Sequence, residues 1–143
     1  MTRQSPPTRD PLTDENGDLS MPWLLFFNQT FNGDAGDIWT PTAVSLTEVG
    51  GSATLSGRYY RISSYLCFYN ILITPATNTS ATAGTTYIDN FPLTSVSDGF
   101  CASISNKLGG GLGMIEASTN RIYVPAWTTV TTPLNILGLV EVS

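Results

Sequence analysis

The chain has 143 residues, only 12% of them charged, no histidine and a formal net charge of −5. That length suits one domain with a short appendage. The acidic balance, with no cluster of Lys and Arg, argues against nucleic acid, where phosphates need several converging cations. The missing histidine removes the commonest general base, the usual zinc sets and the Ser–His triad.

Residues 1–20 carry Pro6, Pro7 and Pro11 among turn residues. Proline fixes φ and donates no hydrogen bond, so this stretch reads as an extended arm. It has no basic front leading into an apolar core, so no secretion signal is expected, and no run approaches the ~20 apolar residues of a membrane span. Residues 21–32, "MPWLLFFNQTFN", give the one helix the pattern predicts, with Ser20 as cap, Pro22 in the first turn and Gly33 as stop. Trp23, Leu24, Phe27 and Phe31 share one stripe, while Leu25 and Phe26 point elsewhere. A short helix with apolar groups on two sides needs cover on two sides, so these four residues are the candidate anchor into a partner. In "NGDAGD" (32–37), Asn32, Asp34 and Asp37 are oxygen donors, but the spacing falls short of a calcium loop and reads as a turn.

From Ile38 onward the pattern is β. Strands are expected at 42–48, 53–62, 65–74, 83–89, 99–106, 111–117, 120–125 and 134–142, separated by Gly-, Pro- and Asn-containing turns. About eight strands at this spacing predict an antiparallel β-sandwich or jelly-roll-like domain over 38–143, behind an N-terminal arm over 1–37. The run 65–74 alternates Tyr65, Cys67, Tyr69, Ile71 and Ile73 with Leu66, Phe68 and Leu72, broken by Asn70. A strand apolar on both faces is either covered outside or faces another subunit. The Ser- and Thr-rich, weakly charged remainder favours the second, because a monomer usually stays soluble by charge.

Chemistry is thinly represented. Lys107 is the sole lysine and has no supporting pattern, and Asp89, Asp98 and Glu116 are too widely spaced to form an evident acid–base pair. "LGGGLG" (108–113) lacks the tail of a phosphate loop and reads as a bulged strand or tight loop. Cys67 and Cys101 lie in apolar runs as buried thiols. Trp39, Tyr123 and Trp127 are the aromatics with the best claim to a ligand or partner, Trp127 with the loops 75–82 and 126–133 toward sugar. No enzyme activity, cofactor or metal is expected.

The segment "DPLTDENGDLSMPWLLFFNQTFN" (10–32) resembles the N-terminal stub of small tailed-bacteriophage virion proteins, an extended Pro/Asp segment and turn before a short aromatic helix. The following "GDIWTPTAVSLT…GRYYRISSYLCFYNILITP" (36–75) is similar to β-domains of phage fibre and tail proteins, with Ser63-Ser64 standing where that family has a glycine or polar turn. The resemblance implies a virion structural protein, homo-oligomeric and most often trimeric, attached through its arm to capsid, collar or tail. Within it, a capsid decoration protein and a module binding host surface glycan are the alternatives.

Overall fold

In the computed structural model the described residues are Pro11, Ser20, 36–105 and 108–143. The chain divides into two compact units, Met1–Ala35 and Gly36–Ser143. In the first, the Ser20 hydroxyl donates to the Pro11 carbonyl at 2.6 Å. The helix expected over 21–32, with Trp23, Leu24, Phe27 and Phe31, lies outside the described residues, as does Lys107.

The second unit is mainly β and antiparallel, with twelve strands: β1 (Asp37–Trp39), β2 (Thr42–Val44), β3 (Thr47–Val49), β4 (Thr54–Arg61), β5 (Leu66–Thr74), β6 (Asn78–Ala81), β7 (Tyr87–Asp89), β8 (Gly99–Ser105), β9 (Leu108–Glu116), β10 (Arg121–Tyr123), β11 (Trp127–Val130) and β12 (Leu134–Glu141). Nine form one sheet in the order β1-β4-β5-β12-β8-β9-β10-β7-β2, and three form another in the order β11-β6-β3. The edge strands β1 and β2 are joined by Thr40 and Pro41 alone. Three peptide steps span at most about 11 Å, so the nine-stranded sheet must curl until its two edges nearly meet. Asn90, at φ 62°, pins that corner. Its amide donates to the Thr40 carbonyl at 2.9 Å and accepts from the Thr42 N–H at 3.1 Å.

The core fills the concave side. Cys67, Tyr69, Ile71 and Ile73 of β5, Ile136 and Val140 of β12, Cys101 of β8, Ile115 of β9 and Ile122 of β10 are buried. The β-branched isoleucines suit a pleated surface packed on its neighbours. Phe91 gathers the aromatics, with ring centroids 5.7 Å from Trp39, 6.4 Å from Tyr59 and 5.3 Å from Tyr69. Two glycines make room for aromatic neighbours across the ladder. The Trp39 ring lies on Gly57 and the Tyr69 ring on Gly138, so close that a Cβ at either position would overlap the ring.

Three differences from the expected strands have local causes. The single strand expected over 42–48 is β2 and β3, in different sheets. Ser45 takes φ 57°, and the buried Thr86 hydroxyl donates to its carbonyl at 2.9 Å, turning the chain. The strand expected over 83–89 shortens to β7, because residues 83–85 form a turn in which the Thr85 and Thr86 N–H groups donate to the Thr82 carbonyl. Strands β6 and β11 fall where turn and loop were expected, and together with β3 they make the small sheet.

Candidate assembly interface

The outer face of the large sheet carries an apolar band. Following the cross-strand register gives one continuous row: Tyr60, Phe68, Leu139, Phe100, Met114, Tyr123, Tyr87 and Val44, on β4, β5, β12, β8, β9, β10, β7 and β2. Every member alternates with residues that point to the core, so the row lies on the convex side. At about 4.8 Å between strands it runs roughly 34 Å around the sheet. None of its members is charged. Neighbouring rings touch along it, Tyr60 with Phe68 at 5.9 Å and Tyr87 with Tyr123 at 5.5 Å.

A second row thickens the belt over the middle strands, with Leu137, Ala102 and Leu112 in register. Leu72, Asn135 and Ile104 add a third. Over β8 and β9 the side chains are open: Phe100 is 55% exposed, Leu112 78%, Ile104 40% and Met114 38%. Single exposed apolar residues are ordinary, but a contiguous set on one face marks a contact surface. Charges flank the belt. Arg121 lies beside its β10–β7 end, its guanidinium 4.6 Å above the Tyr87 ring and 3.6 Å from Asp89. The Asn70 side-chain oxygen, on the outer face of β5, is buried with no hydrogen-bond partner among the described residues.

Tyr123 is a member of the belt. Trp39 packs inward on Tyr59 and Phe91, its indole N–H buried and unpartnered among the described residues. Trp127 lies in β11, partly exposed, its indole N–H donating to the Thr79 hydroxyl at 3.4 Å. The carboxylates serve local structure. Asp89 pairs with Arg121, Asp98 accepts from the Ala117 N–H at 2.9 Å, and Glu116 accepts from the Thr119 hydroxyl at 2.6 Å. Asp37 opens β1. Most belt members went unseen in the sequence because their alignment depends on register across strands distant in the chain. The two-faced run at 65–74 was the one local signal.

Cys67 and Cys101 are free thiols and fully buried. Burial pushes the Cys101 thiol up to about 11. Because the folded state holds this proton more tightly than an unfolded chain, the stabilisation is complete below about pH 9 and is lost as pH rises toward 11. Urea titrations of the wild type should show about 2 kcal/mol less stability from this group at pH 10.5 than at pH 8, a difference reduced by that amount in Cys101→Ala. An equal slope in the variant would contradict it.

Comparison with protein-family models, with curated proteins and with solved structures gave no match.

Proposed function

We propose that this chain is a bacteriophage structural protein that works by assembling with copies of itself into a fibre, tail or collar component of the virion. The observation that carries the assembly reading is the uncharged belt on the convex face, over a sheet whose concave face is already filled. A sheet with a packed core needs no second apolar face for its own stability, and such a face costs solubility until it is covered. A neutral surface also suits contact between copies, because no charge has to be taken out of water when two such faces meet. The assignment to a phage particle rests on the resemblance of residues 10–75.

In this reading residues 1–37 are the attachment arm, and Trp23, Leu24, Phe27 and Phe31 seat it in sister subunits or in the capsid, collar or tail. Burying four such side chains contributes several kcal/mol per copy at about 25 cal/mol per Å², and several copies held together gain further through effective concentration. Deleting residues 1–32 is expected to leave a folded β-unit that no longer joins the particle, read by thermal melting and by co-sedimentation with purified virions. Normal incorporation of the truncated chain would place the attachment elsewhere. The copy number, from quantitative gels of the same virions, separates a fibre, at a few tens or fewer, from a capsid decoration protein, in the hundreds.

A further inference from the structure

We propose that the groove beside β11 binds a neutral saccharide. The groove has a volume of about 500 Å³ and runs along Ala126–Thr132, with Ser103, Ser105, Gly110 and Leu134 completing its walls. Among the described residues its lining carries no ionisable group and is rich in hydroxyls: Ser103, Ser105, Thr128, Thr129, Thr131 and Thr132. The described lining therefore offers a charged ligand no counter-charge, whereas an uncharged polyol meets donors and acceptors of its own kind there.

Three further features favour a sugar. Trp127 is one of the lining residues, half-buried with its ring packed against the core, and the bond from its N–H to the buried Thr79 hydroxyl fixes that ring. An aromatic plane beside hydroxyls suits a pyranose, which has an apolar C–H face and a polar rim. Strand β11 is the edge of the small sheet, and its pairing with β6 shifts register between Trp127 and Val130. Its outer backbone N–H and C=O groups have no ladder partner among the described residues, so they can serve sugar hydroxyls. Finally, Ser103 is 1% exposed and its hydroxyl has no hydrogen-bond partner among the described residues. A buried hydroxyl left unpaired is costly, and a water or a ligand hydroxyl reaching the groove floor would satisfy it.

The test titrates the full-length protein with cellotriose, maltotriose and chitotriose up to about 20 mM, a range suited to one aromatic and a few hydrogen bonds. Tryptophan fluorescence and saturation-transfer NMR are the readouts. At least one trisaccharide should bind, with affinity unchanged between low and high salt. Trp127→Ala should weaken binding at least tenfold while Trp127→Phe retains most of it. Thr128→Trp, at an exposed rim position, should block the groove without touching the core, which keeps the test decisive if Trp127→Ala fails to fold. No binding by any of the three sugars, or binding indifferent to both Trp127→Ala and Thr128→Trp, would overturn the proposal. The titration reads binding at any oligomeric state, so its outcome is separate from that of the assembly reading.

Discussion

A full-length chain carrying Phe100→Asp and Met114→Asp is expected to sediment as a monomer at concentrations where the wild type is expected to form an oligomer. The two residues face each other across β8 and β9 at the open centre of the belt, and both side chains project away from the core. Each substitution forfeits about 1.5–3 kcal/mol of apolar burial at a contact and adds a carboxylate that must be desolvated beside its symmetry mates. The sum over one interface corresponds to at least a thousandfold weaker association. The fold should survive, because neither side chain reaches the core. Two aspartates directly opposite on β8 and β9 repel each other and suit a strand poorly, so a loss of about 1–2 kcal/mol is expected, and thermal melting checks that the variant is folded. An oligomer that survives both charges would show that the belt is not where copies meet.

Asn120→Ala is expected to cost about 3–4 kcal/mol of stability and about 10 °C in melting temperature. Asn120 uses its whole side-chain amide. The Nδ2 group donates to the Phe91 carbonyl at 3.0 Å and the Leu93 carbonyl at 2.8 Å. The Oδ1 accepts from the Ser95 N–H at 3.0 Å and the Ser95 hydroxyl at 2.7 Å. Ser95 is buried, so alanine would strand its N–H and hydroxyl away from water. The backbone is left-handed at φ 58°, which asparagine tolerates better than alanine. Asn120→Gly relieves that strain while losing the same four bonds, so it should recover less than 1 kcal/mol relative to alanine. Through this amide the turn after β9 holds the loop that presents Phe91 to Trp39, Tyr59 and Tyr69. A loss below 1 kcal/mol in a urea titration would mean that Phe91 is held by packing alone.

The strands that the sequence reveals are those with enough apolar residues to show a period. β4, β5, β8 and β12 lie almost where alternation places them, because each commits one complete set of side chains to the core. The small sheet gave no such signal. "NTSA" and "WTTV" are short and hydroxyl-rich, and pairing with each other rather than periodicity makes them strands. Ser45 was invisible for a related reason, since the Thr86 hydroxyl that fixes its turn is forty-one residues away. Trp39 read as a surface candidate because nothing near it in sequence shows that Gly57 lies opposite and accepts its ring. The belt was half legible. The apolar outer positions of 65–74 announced a covered face, but its extension to Phe100, Met114, Tyr123 and Tyr87 depends on register, including the shift between Ala102 and Ile104.

These particulars converge on assembly through the convex face of the curled sheet. The most direct test is the mass of the full-length wild-type protein by sedimentation velocity at about 20 µM, well above the dissociation constants common for stable oligomers. A discrete species of two or more 15.3 kDa chains is expected. A single 15.3 kDa species at that concentration, with the belt open to solvent, would contradict it.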